Sequence, residues 1–439
     1  MSTAELFLEP DEIKDFVKET LADDMLYRVG DEGREIGICP FISFYIYNTS
    51  GQFLSIADQV VALFRELEDR IIDEPFRLIW RDDTQDWLPA GDRRLPTDLR
   101  PSILAAQRNA QDFWIMATDR DSDAATARWS FAGIVNDGIG ADYTRLKITF
   151  RERWYRRNPS TWHAFVIRCL QRLQPDHCYS GFEVGNGGFN ILGAYECDVL
   201  ERICADHFYG MDIDHPARMR FHNFNRTSDY VNHVALGAGI RTPTWCFMLS
   251  PYWQARLGKT EAQIRAELDD PRIEITSIPY EPNAIYPQGG NGLWIRLGEL
   301  DLHPVDKGLP ELLVKANRLI RPIRCDHLQL LTLDPWDDDP NPRFDHDSSL
   351  RWMRRFDDDS DWPDAQRRPP AGGSGDESAP DERLKALPGE AVSREGVWWT
   401  PAIAGEAGRV TLAVGERLPT LERTGYGAVV WYWEGEAPR

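Results

Sequence analysis

The chain has 439 residues and a formal net charge of −21, with 71 Asp and Glu against 50 Lys and Arg. That balance argues against direct binding of nucleic acid, whose phosphates need Lys and Arg to displace counterions, and against anionic membrane surfaces; solubility alone is a sufficient reason for an acidic chain. Hydrophobic residues at 42% and aromatics at 11% exclude a wholly disordered chain, and the length points to more than one domain.

Residues 1–35 read as an acidic N-terminal segment, and together with 334–361 they carry −13 of the net charge. The first residues lack the basic and apolar regions of a signal peptide, and no apolar run reaches the length of a membrane span, so the expected compartment is the cytoplasm. Seven cysteines without a CxxC spacing predict reduced, mostly buried thiols.

Residues 41–47 (FISFYIY) suit a buried strand. Phe53, Ile56, Val60, Leu63, Phe64, Leu67 and Ile71 recur at helical spacing, and 76–80 reads as the next strand. Further strands are expected at 113–117, 129–135 and 145–151; in the last, Leu146, Ile148 and Phe150 alternate with polar residues and predict one wet face. A helix follows over 160–173. A second half starts near Tyr179 with the turn-rich GFEVGNGG at 181–188. Helices are expected over 194–208, over 259–270 with a Thr260/Gln263 capping box, and from Leu309 to Ile320. Strands are expected at 273–278 and 293–297. The fold class is therefore α+β: a large mixed α/β body over 36–357, of two pseudo-repeated halves. The Asp-, Pro-, Gly- and Ser-rich stretch 358–390 reads as a flexible linker, and 391–436 as a small β-rich, SH3-like tail.

No motif for catalysis stands out. GNGG at 185–188 lacks the lysine and spacing of a phosphate loop and reads as a turn. There is no GxSxG elbow. Asp206, His207, Asp212, Asp214, His215 and His222 form the densest His/Asp group. A metal-dependent hydrolase built on that 206–222 group is the alternative reading, although no HExxH or HxH spacing accompanies it. The Asp337–Asp339 and Asp357–Asp359 runs lack the spaced ligands and glycine of a calcium loop. A solvated loop or a docking surface for a basic partner fits them better. Trp245, Trp253 and Trp294 lie in apolar stretches and read as core. Trp398, Trp399, Trp431 and Trp433 of the tail would mark a carbohydrate-binding or scaffold groove if exposed and coplanar, and a structural module if buried.

One order of segments is more specific. GAGIRTPTWCFMLSPYWQARLGKT at 237–260 is followed by GLWIRLGELDLHPVD at 292–306, LLVKANRLIRPIR at 312–324 and LRWMRRFD at 350–357. This order resembles the type VI immunity family TsiV, with Trp352, Arg355, Phe356 and Asp357 matching its terminal W-x-x-R-F-D. Tyr179–Phe182 resembles its middle segment more loosely. GVWWTPA, GERLPTLE and YGAVVWYW resemble an accessory tail of type VI immunity proteins, except that Ser393-Arg394-Glu395 stands where a Cys-Pro pair precedes the Gly-x-Trp-Trp. The resemblance implies a non-enzymatic antitoxin without cofactor or metal. Its partner is a secreted effector, nuclease in type, whose active site it occludes, with no direct contact to nucleic acid or membrane. Asp337, Asp338, Asp339, Asp357, Asp358 and Asp359 are the expected steering residues, with Trp336 and Trp352 as aromatic anchors beside them. Trp352 and Phe356 also suit a clamp that holds the last segment on the body.

Overall fold

A computed structural model describes residues 10–22, 25–29, 34–47, 50–81, 83–95, 97–137, 143–185, 195–214, 239–282, 286, 288–326, 343–344, 346–363, 385–400, 409–420 and 431–435. The strands β1 (Tyr27–Val29), β2 (Arg34–Tyr47), β3 (Leu78–Arg81), β4 (Asp86–Pro89), β5 (Phe113–Thr118), β6 (Ser130–Val135), β7 (Tyr143–Thr149), β8 (His177–Gly185), β9 (Cys246–Leu249), β10 (Ile273–Tyr280) and β11 (Gly290–Leu297) form one 11-stranded sheet. Its order is β10-β11-β9-β8-β2-β7-β6-β5-β3-β4, with β1 paired to β2. Every ladder in it is antiparallel.

The helices are α1 (Pro10–Ala22), α2 (Phe53–Arg70), α3 (Arg100–Asn109), α4 (Glu152–Arg157), α5 (Pro159–Leu173), α6 (Tyr195–His207), α7 (Pro251–Leu257), α8 (Glu261–Glu267), α9 (Glu311–Ile320) and α10 (His346–Met353). The expected stripe of α2 is buried from Phe53 to Leu67. It lies on one face of the sheet, where Phe64 meets Phe131 edge-on at 5.2 Å. Gly133 is needed there, because a Cβ would come within 2.8 Å of the Val60 side chain. At α8 the capping box forms as read, with Thr260 and Gln263 each satisfying the other's backbone N–H. Ala110 and Gln174 end α3 and α5 in the left-handed conformation.

The two chain halves meet at the central β2–β8 pair. The flanks run β7-β6-β5-β3-β4 on one side and β9-β11-β10 on the other, so the strand order differs between the halves. The acidic N-terminal segment contributes α1 to the body, because Ile13 and Phe16 sink into the main core while Glu12 and Asp15 stay outside. The body also runs past 357: Trp362 is fully buried and stacks on Phe344 at 5.7 Å. At the far end of the expected linker, Lys385–Ala386 already pairs with the last strand of the tail.

The described tail is a four-stranded antiparallel sheet of β12 (Lys385–Ala386), β13 (Gly396–Trp399), β14 (Arg409–Leu412) and β15 (Trp431–Gly435), in the order β12-β15-β13-β14. Among the described residues that order is an open path, and it does not confirm an SH3-like barrel. Trp398 and Trp431 are buried in its own small core with Val392 and Leu418, which is the structural alternative for these rings.

Candidate functional site

Cross-strand neighbours stand on the same face of a sheet, so the registers define the face opposite α2. One row runs His177, Tyr45, Arg145, Ile134, Trp114. The next runs Tyr179, Ser43, Lys147, Ala132, Met116, Trp80, Trp87. The face thus changes along its length, from polar and charged at the centre to aromatic at the outer strands.

The alternation in 145–151 predicts a wet face for Arg145, Lys147 and Thr149, and the structure overturns that expectation. Arg145 is 3% exposed and the Lys147 side chain 12%. Lys147 reaches Glu183 at 2.5 Å and also donates to the Asp214 carbonyl. The chain after α6 lies over this face and covers it, with the Asp212 N–H donating to the Phe182 carbonyl at 2.7 Å. Residues 181–185 of the segment read as turn-rich belong instead to the central strand β8, buried at each of its nine positions, while 186–188 lie outside the described residues. Gly181 is in it because Asp212 sits directly above: a Cβ would lie 2.0 Å from the carboxylate oxygen.

Asp212 and Asp214 then organise a buried charge cluster. Asp214 accepts from Tyr45 Oη at 2.6 Å, from Ser43 Oγ, and from Arg241 at 3.3 Å. Asp212 accepts from Arg241 at 3.4 Å and from Arg355 at 3.2 Å. Arg355 lies over the Trp352 ring, 3.8 Å from its centroid, and donates to the Tyr209 carbonyl. Burial pushes the Asp212 carboxyl up to about 6, although Arg241 and Arg355 pull the other way. Burial likewise pulls Arg355 down to about 9, with Asp212 opposing it. Desolvation outweighs attraction for both partners, as buried ion pairs commonly show.

A second cluster adjoins it. Arg324 forks onto Asp357 at 2.7 and 2.8 Å and reaches Asp326 at 2.6 Å. Asn317 of α9 bridges Arg324 and Asp357, and Arg354 closes on Asp326 at 2.9 Å. Burial works against both charges, but Asp326 and Asp357 hold Arg324 above its ordinary value, and Arg324 holds Asp357 below its own. Trp352, Arg355, Phe356 and Asp357 are thus all buried, and each anchors the segment after α10 to the body.

Residues 63–356 match TsiV, described as type VI immunity for VRR-NUC. The chain belongs to the TsiV family. A Pseudomonas aeruginosa T6SS protein of known structure shares the fold, with a TM-score of 0.57 and 18% identity over 80% of this chain and 93% of its own. No curated protein matches the chain in sequence.

In this TsiV-family chain the expected interface residues separate by burial. Trp352 is fully enclosed and Asp357 is 5% exposed and paired, so neither presents a surface, for the packing and pairing reasons just given. Asp358 and Asp359 are exposed. Asp358 meets Arg318 at 2.6 Å on the surface, and Asp359 makes no ion pair among the described residues. Asp361, which the sequence reading did not single out, is also exposed, beside Arg351 at 3.0 Å. Between these carboxylates Ser360 and Trp362 are buried, so the acids stand on a turn fixed from beneath. Trp336 and Asp337–Asp339 lie outside the described residues.

Of the His/Asp group, Asp206 pairs with Arg202 at 3.2 Å, and Asp212 and Asp214 face arginines. His215 and His222 lie outside the described residues, and no three metal-ligating side chains converge among the described ones. Trp245, Trp253 and Trp294 are core as read, and all seven cysteines are buried. No described helix is long and apolar enough to cross a membrane.

Proposed function

We propose that this TsiV-family chain is the immunity protein of a type VI effector with a VRR-NUC nuclease domain, and that it binds the effector directly, occludes its active site and carries out no chemistry of its own. The family match over residues 63–356 carries the reading. Physical support for the mode of action comes from charge. A nuclease must hold phosphates in a cationic groove, and a chain of charge −21 complements such a groove. Asp358, Asp359 and Asp361 stand on a turn whose alternate residues are buried, so they present negative charge without first having to be ordered. Asp337–Asp339 join them as steering residues by sequence proximity, while Trp352 and Asp357 support the turn from inside. The cytoplasm is the compartment of action, since an inhibitor of a DNA-cleaving enzyme has to reach it where the chromosome is.

Co-expression tests the reading. Cells producing the VRR-NUC effector of the same locus should stop growing and show degraded DNA, and co-production of this chain should restore both growth and intact DNA. Continued killing with the chain soluble and folded would refute the antitoxin role for that pair. Rescue without a stable complex in a pull-down would refute direct binding.

A further inference from the structure

The outer end of the sheet face opposite α2 carries an aromatic patch. Trp80 and Trp87 are directly paired across β3 and β4, and Trp80 is register partner to Met116 on β5, two residues from Trp114. The Trp80 and Trp114 rings lie 5.8 Å apart at 55°. Leu78 and Pro89 form the next pair on the same face. All three tryptophans are only half-buried, and β4 is the last strand of the sheet.

Four other tryptophan rings carry one of the chain's own cations. Arg256 lies over Trp253, Arg355 over Trp352, Arg202 over Trp362 and Arg394 over Trp433, at 3.8–5.2 Å. Among the described residues no Lys or Arg lies over Trp80, Trp87 or Trp114, and their indole N–H groups donate to nothing within the chain. The nearby Arg94 is engaged with Asp92 at 3.1 Å and Asp86 at 3.9 Å. Three adjacent half-buried indoles, with no described cation over them and no described acceptor for their N–H groups, have the chemistry of an interface hot spot for cationic side chains.

Resting on the immunity reading above, we propose that Trp80, Trp87 and Trp114 form the anchoring patch for the effector, taking Lys and Arg side chains of its DNA-binding surface against their rings. Complementarity of charge selects this occupant: uncovered ring faces on a molecule of charge −21 favour a basic surface over a second copy of the same acidic chain. The acidic turn at 358–361 sets the rate of encounter, and the tryptophans set how long the complex lasts.

Calorimetry and surface plasmon resonance between the purified full chain and a catalytically inactive VRR-NUC effector of the same locus test this. Trp87→Lys and Trp114→Lys should each weaken binding by about 30-fold or more, chiefly through faster dissociation. Trp114→Phe, which keeps a ring face, should stay within about 5-fold of the parent. Should a lysine variant fail to fold, Trp→Leu at the same position keeps apolar volume without the ring and should still lose binding. Lysine or leucine variants that fold normally and bind within about 2-fold of the parent would overturn the proposal. If the parent chain itself does not bind, the immunity reading fails and this proposal with it; if it binds while the variants are unaffected, only this proposal fails.

Discussion

Single side chains in this protein work mainly by closing its interior. His163 on α5 lacks a hydrogen-bond partner at its buried Nε2 and stacks edge-on against Tyr155 at 5.7 Å. Burial, then the nearby Arg296, lowers its pKa to about 4. The unfolded chain takes up this proton near pH 6.5 and the folded chain only near 4, so this residue withdraws stability as the pH falls through that window. His163→Gln should therefore gain stability relative to the parent on acidification from about 6.5 to about 4, read as a difference between urea midpoints across pH; a difference constant with pH would refute the assignment. Alternation of Leu146, Ile148 and Phe150 locates β7 in the sequence, but it cannot say that Arg145 and Lys147 are enclosed. Lys147 lies under the segment at Asp214 and Arg145 faces Asp112 at 3.9 Å, both remote in sequence, and a pattern of period two carries no information about remote partners. Gly181 is misread for the same reason: four glycines in eight residues suggest a turn, while the actual requirement is room for the Asp212 carboxylate.

Among the elements, helices with continuous apolar stripes were the most legible, since the stripe is both cause and signal. Short edge elements such as β4 and α4 carry too few residues for a period to show. The segment from α10 to Trp362 is a different case. Its motif is visible as letters, but its task appears only when Arg355 meets Asp212 and Asp357 meets Arg324. Arg355→Met should destabilise the chain by about 3–5 kcal/mol, because it leaves Asp212 buried with less compensation. Arg318→Met, whose pairing with Asp358 is on the surface, should cost far less. Chemical denaturation of both variants checks this, and equal small losses would show that the segment does not bolt the body.

At the scale of the whole molecule, the proposed steering by charge can be measured as a rate of encounter. Neutralising Asp358, Asp359 and Asp361 together to Asn should lower the association rate with the effector by about 10-fold at low salt while changing dissociation little. The difference should shrink as salt shortens the screening length towards about 3 Å at 1 M. An association rate indifferent to salt and to these substitutions would refute steering without bearing on the proposed occlusion. The topology has a separate consequence, in time. The middle of the sheet closes only when residues 37–45 pair with 177–185, and the covering face is fastened only when Arg355 and Asp357 arrive. At roughly 5–20 residues per second, the ribosome needs about 15–60 s to travel from β2 to that last fastening, and pairing so remote in sequence folds slowly once it is available. Nascent chains can therefore neutralise nothing, and a cell under attack depends on the stock of finished molecules made before the effector arrives.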